Sequence, residues 1–235
     1  MAGACFITSV DGARIAYQVC GTGPAVVLLH GFQGTRQQWH EHGWVERLKT
    51  DHTVITVDLR GCGESEVSSN PADYAPAVHL ADLHTVTNAC DVVQFALVGF
   101  SWGATVVRHM LAQSDRVSRG VMISAYFGNY FTETFLAAQM DNYSYDRVLA
   151  ARIQGLRAWP GIEAAVLRVP TLVITGTQDG DVMHALQEQR QMIDAAGVIL
   201  KVFEGLGHAQ LIQAIDIVLP CVHAFLTASA TDVQT

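Results

Sequence analysis

Apolar residues in this chain fall in short unbroken runs, separated by polar and glycine-bearing stretches. Runs at residues 25–29, 54–57, 94–98, 120–124 and 171–175 have strand length. Runs without alternation suit strands buried on both faces. Residues 14–20, after the Asp11-Gly12 turn, and 198–203 read as two further strands, and 21–24 as a turn. Helical spacing recurs at 75–88, 104–111, 187–196 and 209–226. Strands alternating with helices predict an α/β fold, a mainly parallel sheet covered on both sides. In such sheets, sites form at the carboxyl ends of the strands.

Residues 127–168 break the alternation. Together with Tyr126, this segment is aromatic: Phe127, Tyr130, Phe131, Phe135, Met140, Tyr143, Tyr145 and Trp159. We expect it to be a short helical lid inserted in a single domain spanning 1–235. Ser144 is the expected N-cap of a helix over 145–156, and Pro160 is expected to open a last short helix. Tyr126, Phe127, Tyr130, Phe131, Phe135 and Trp159 are candidates to line a substrate pocket.

Composition narrows the partners. The 235 residues are 50% hydrophobic and 15% charged, enough for one large core. A formal net charge of −8 without a basic cluster argues against nucleic acid and anionic membranes. No apolar run is long enough to span a bilayer, and no secretory signal is recognised at the start. Five scattered cysteines without a C-x-x-C pair read as free thiols of a reducing, cytoplasmic compartment. His40 and His42 flank Glu41 but lack the spacing of a metal site. The expected partner is a small apolar molecule, bound by a monomer or small homo-oligomer, with no cofactor.

The chemistry concentrates after the predicted strands. Gly99-Phe100-Ser101-Trp102-Gly103 reads G-x-S-x-G at a strand-to-helix turn, the pattern of a nucleophile elbow. A serine hydroxyl needs a base in reach and a group to orient that base. His208, in Gly205-Leu206-Gly207-His208, follows the last strand and is the candidate base. Asp179, in Gly176-Thr177-Gln178-Asp179-Gly180, is the candidate acid, with Asp181 as runner-up. The backbone N–H groups of Trp102 and Phe32 are the candidate oxyanion donors. Gly31 permits close approach of that loop. His30, Phe32 and Trp102 are also candidate substrate contacts.

With these residues in place, the chain resembles the α/β-hydrolase fold superfamily over essentially its whole length. The matching pieces are Leu29-His30-Gly31-Phe32, the 58–65 segment, 98–103, 169–176 with Asp179, and Gly207-His208. The resemblance implies an eight-stranded-type sheet and a Ser101–Asp179–His208 triad. It also implies that the 58–65 segment is a structural turn. Ala104 stands where a further glycine often follows the elbow. The expected activity is hydrolysis of a carboxylic ester, thioester or lactone through an acyl-serine. Acyl transfer through the same intermediate is the alternative. Cofactor-independent dioxygenation ranks third; that branch places its acid after strand six, where Ser124 stands here.

Overall fold

Period-two burial along the strands divides the core in two. Val26 and Leu28 point into one apolar cluster with Val98, Ile123 and Ile174; Val27 and Leu29 point into the other with Leu97, Met122 and Val173. Such strands need cover on both faces. In the computed structural model, which describes residues 3–129, 131–143 and 145–229, helices supply it.

The strands are β1 (Cys5–Thr8), β2 (Arg14–Cys20), β3 (Ala25–Leu29), β4 (Thr53–Val57), β5 (Phe95–Phe100), β6 (Val117–Ile123), β7 (Thr171–Gly176) and β8 (Ile199–Phe203). They form one eight-stranded sheet in the order β1-β2-β4-β3-β5-β6-β7-β8. Pairing is antiparallel at β1–β2 and β2–β4 and parallel from β4 onward. The helices are α1 (Gln37–Glu41), α2 (Trp44–Leu48), α3 (Pro76–Ala89), α4 (Trp102–Gln113), α5 (Glu133–Tyr143), α6 (Arg147–Gly155), α7 (Gly180–Glu188), α8 (Arg190–Ala195), α9 (Gln210–Gln213) and α10 (Ile215–Thr227).

The expected elements recur with differences, and α1, α2 and α5 are additions to them. β1 carries no apolar alternation and is mostly exposed, so its strand character comes from pairing with β2. The helix expected at 187–196 is two helices, α7 and α8, joined at Gln189. The closing helix is broken at Ala214 into α9 and α10. Between β6 and β7, α6 begins at Arg147 rather than 145. Its cap is Asp146, whose carboxylate accepts from Val148 N–H at 2.8 Å and Leu149 N–H at 3.1 Å. Ser144 and Tyr130 lie outside the described residues. Pro160 opens no helix: it lies between short 3-10 turns at Leu156–Ala158 and Ala164–Val166, and its carbonyl meets His109 Nε2 at 3.1 Å.

Register places the site. Leu29 pairs with Gly99, Phe100 with Ile123, and Ile123 with Ile174. The residues just past β3, β5, β6 and β7 therefore emerge at one level of the sheet. The 58–65 segment is the structural turn expected: Asp58 is fully buried, pairs with the Arg36 guanidinium, and accepts from Arg36 N–H at 2.6 Å and Glu64 N–H at 3.0 Å.

Candidate active site

Ser101 sits in a backbone conformation that side chains seldom adopt, φ 52° and ψ −110°. Both sides hold it there. Its N–H donates to the Ile123 carbonyl at 2.8 Å, and its carbonyl accepts from Thr105 N–H at 3.1 Å as α4 begins. The flanking glycines are required by space. A Cβ on Gly103 would overlap the Leu29 carbonyl, and one on Gly99 would overlap the Gly103 carbonyl. The turn is thus strained by design of its neighbours, a hallmark of functional positions.

The loop after β3 passes beside Ser101: a Cβ on Gly31 would stand 3.6 Å from the Ser101 Cβ. Phe32, next in that loop, lines the same cavity as Ser101. Trp102 is the first residue of α4, and its N–H is one of the helix-start donors that no intrahelical carbonyl can reach.

The loops after β7 and β8 are laced together. Thr177 N–H donates to the Phe203 carbonyl, and Gln178 N–H to the Leu206 carbonyl, both at 3.0 Å. Gly205 N–H donates to Thr177 Oγ1 at 2.9 Å. This fixes Asp179 against His208, whose Nδ1 lies 3.0 Å from Asp179 Oδ1. Asp179 is 6% exposed, whereas the His208 side chain is 49% exposed, leaving one side of the ring open. The Phe100 ring, 5.0 Å away between centroids, supports the imidazole. Of the two candidate carboxylates, Asp179 is the one His208 meets; Asp181 is exposed and stands on the cavity wall.

Ser124 was not among the candidate catalytic residues, yet it joins this group. Its hydroxyl donates to Asp179 Oδ2 at 2.5 Å, and its oxygen lies 2.6 Å from His208 Nδ1. It is 3% exposed, and its backbone too is strained, with φ 59°. The available signal was positional: a polar residue just past a buried apolar strand, level with Ser101.

Ser101, Ser124 and His208 open on one cavity of about 460 Å³. Phe32, Trp102 and Tyr126 wall it from the sheet side, and Phe131, Phe135, Gln139, Ile153 and Leu156 from the segment between β6 and β7. Burial raises the pKa of the Tyr126 phenol, with the Arg108 charge opposing and the Asp181 charge adding to it, so the group stays protonated at neutral pH. Ser101 Oγ makes no hydrogen bond to His208 among the described residues. Catalytic hydrogen bonds are often long before substrate binds.

Three expected pocket residues belong instead to the core behind the cavity. His30 is fully buried, with Nδ1 2.8 Å from the Gly31 carbonyl and Nε2 accepting from Leu59 N–H at 3.0 Å. Phe127 is also fully buried. Trp159 stacks edge-on behind Trp102 at 4.6 Å and donates its indole N–H to the Tyr74 carbonyl at 2.8 Å. His30 is turned inward by its bonds to Gly31 and Leu59, and Trp159 by its ring contacts with His79 of α3 and with Trp102 and His109 of α4.

A sequence profile described as alpha/beta hydrolase fold matches residues 24–162. A Synechocystis protein provisionally assigned as a non-heme chloroperoxidase is 37% identical over 112 residues, 47% of this chain and 40% of that protein. Epoxide hydrolase 2 of Siraitia grosvenorii is 31% identical over 120 residues, 51% of this chain and 38% of that protein. These matches span well under two thirds of either relative. Among solved structures, a hydrolase from Pseudomonas aeruginosa superposes with a TM-score of 0.80 at 20% identity, over 97% of this chain and 99% of that one. The enol-lactonase of Burkholderia xenovorans superposes with a TM-score of 0.75 at 20% identity, over 95% and 100%.

Proposed function

The chain belongs to the α/β-hydrolase fold family, and from that premise we propose that it is a serine hydrolase cleaving a carboxylic ester, thioester or lactone of a small apolar substrate. The observation that carries this reading is the Asp179–His208 pair at 3.0 Å, sharing one apolar cavity with a strained Ser101.

In this mechanism, Ser101 Oγ attacks the substrate carbonyl while His208 Nε2 takes its proton. Asp179 holds Nδ1 protonated and stabilises the imidazolium that forms. The N–H groups of Trp102 and Phe32 receive the developing oxyanion. Collapse of the tetrahedral intermediate breaks the bond to the leaving alcohol or thiol, which receives the proton from His208. A water, deprotonated by His208, then attacks acyl-Ser101 and frees the acid. The segment between β6 and β7 acts as a lid whose Phe131, Phe135, Ile153 and Leu156 hold the apolar part of the substrate. Position 101 is serine, so the aspartyl-nucleophile route is not the one proposed.

Ser124 acts as a positioning residue. Its hydroxyl fixes the Asp179 carboxylate and shares the Nδ1 proton. Hydrogen bonds to charged groups contribute about 1.5–3 kcal/mol. Ser124→Ala is therefore expected to lower kcat/KM by roughly 10–100-fold, mostly in kcat. A loss confined to KM would instead assign Ser124 to substrate contact.

Initial rates on p-nitrophenyl esters of graded acyl length test the reading. We expect turnover of short and medium acyl chains and a decline for long chains that exceed the cavity. Absence of turnover across esters, thioesters and lactones would overturn it. Faster product release with an added alcohol, together with formation of its ester, would reassign the chemistry to acyl transfer.

A further inference from the structure

Outside the cavity, three further side chains converge. Asp51 and His52 lie in the loop between α2 and β4, and His223 lies on α10. Asp51 Oδ1 is 2.7 Å from His52 Nδ1, and Asp51 Oδ2 is 2.6 Å from His223 Nε2. The two imidazoles meet edge-on at 5.7 Å. One nitrogen from each ring and one carboxylate oxygen all lie within 4.8 Å of one another.

We propose that Asp51, His52 and His223 form a binding site for Zn²⁺ or a similar borderline divalent cation. Two imidazoles and one carboxylate suit such ions, whereas Mg²⁺ and Ca²⁺ favour sites made of oxygen alone. Tetrahedral bonds of about 2.0–2.1 Å place ligand atoms about 3.4 Å apart. The short Asp–His contacts, one to each carboxylate oxygen, need open by less than about 1 Å, and the widest pair of ligand atoms, within 4.8 Å, needs to close by up to about 1.4 Å, both within reach of side-chain rotation. Water completes the fourth position.

The scaffold under the site is rigid. His52 N–H donates to the Leu48 carbonyl at 2.9 Å, and Thr53 N–H to the Pro24 carbonyl at 3.1 Å. Gly21 and Gly23 press against the backbone of residues 49–52 so closely that neither has room for a Cβ. The His52 ring is buried, 5% exposed, while Asp51 and His223 are 42% and 41% exposed and leave an entry path. A bound ion would tie α10 to the loop that precedes β4. That tie joins parts of the chain 172 residues apart.

Titration of the full chain with Zn²⁺, followed by calorimetry and thermal melting, tests this. We expect one equivalent to bind and, at about 100 times Kd, to raise Tm by about 5 °C. His223→Gln, at a half-exposed position, should weaken that binding by at least roughly tenfold and cut the Tm shift at the same Zn²⁺ concentration to about half or less. Asp51→Asn should weaken it as well, and Mg²⁺ should do neither. A far-UV circular dichroism spectrum matching the parent confirms that each variant folds. Failure of the parent to bind stoichiometrically would overturn the proposal and leave a hydrogen-bonded clip only. Equal binding by parent and His223→Gln would place the ion elsewhere and overturn it too.

Discussion

Ser101→Ala is expected to lower kcat/KM for a turned-over ester by roughly 10⁴–10⁶-fold while leaving Tm nearly unchanged. The loss follows from the covalent step: without the hydroxyl, no acyl-enzyme forms, and what remains is binding and oxyanion stabilisation. Stability is expected to persist because Ser101 Oγ makes no hydrogen bond among the described residues. The residue's structural work is done by its backbone, through Ile123 and Thr105. Alanine must adopt the same positive φ that serine already adopts, so the strain is carried over rather than added. Ester hydrolysis and thermal melting of the same preparations check both parts. Residual activity near the parent level would remove Ser101 from the chemistry.

The second large effect concerns acid. Burial pushes the imidazole pKa down to about 4 in His30, about 3 in His79 and about 4 in His109. Each ring is held neutral in the folded state by its surroundings. His79 stands edge-on to Trp102 and Trp159, and His109 edge-on to Trp159. In the unfolded chain, these rings titrate near 6.5. The folded pKa values lie below the unfolded one, so the unfolded state binds more protons as pH falls. Their contribution to stability is therefore complete above about pH 6.5 and is lost progressively toward pH 4. Three extra protons give a slope of about 4 kcal/mol per pH unit near pH 5. Tm should then drop on the order of 10 °C per unit in that window. Thermal melts from pH 7.5 to 4.5 check this, and His79→Phe should flatten the slope by about a third. A Tm independent of pH over that range would contradict the burial of neutral rings.

Both effects arise from features that differ in how far sequence exposes them. The strands were legible because a strand buried on both faces must be an unbroken apolar run, as at 25–29 and 171–175. The elbow was legible because Gly99 and Gly103 leave no other residue room. The edge strand β1 was not, since half-exposed Cys5–Thr8 carries no periodic signal apart from its partner. α7 was legible only at its end, because the expected helix at 187–196 misses the turns that begin at Gly180 directly after Asp179. Ser124 escaped for a different reason: its closeness to Asp179 and His208 is set by the register of β6 against β7. The aromatic residues after β6 show the same limit. Residue type marks Phe131, Phe135, Phe127 and Trp159 alike, but only packing decides that the first two line the cavity while the others brace it from behind.

The Asp179–His208 pair and the elbow together account for function only if an acyl group passes through Ser101. The most direct measurement is mass spectrometry of the protein quenched during turnover of an activated ester, followed by peptide mapping. The account predicts one acyl adduct per chain, located on the peptide bearing Ser101 and absent from Ser101→Ala. Turnover without any adduct, undiminished in Ser101→Ala, would contradict it.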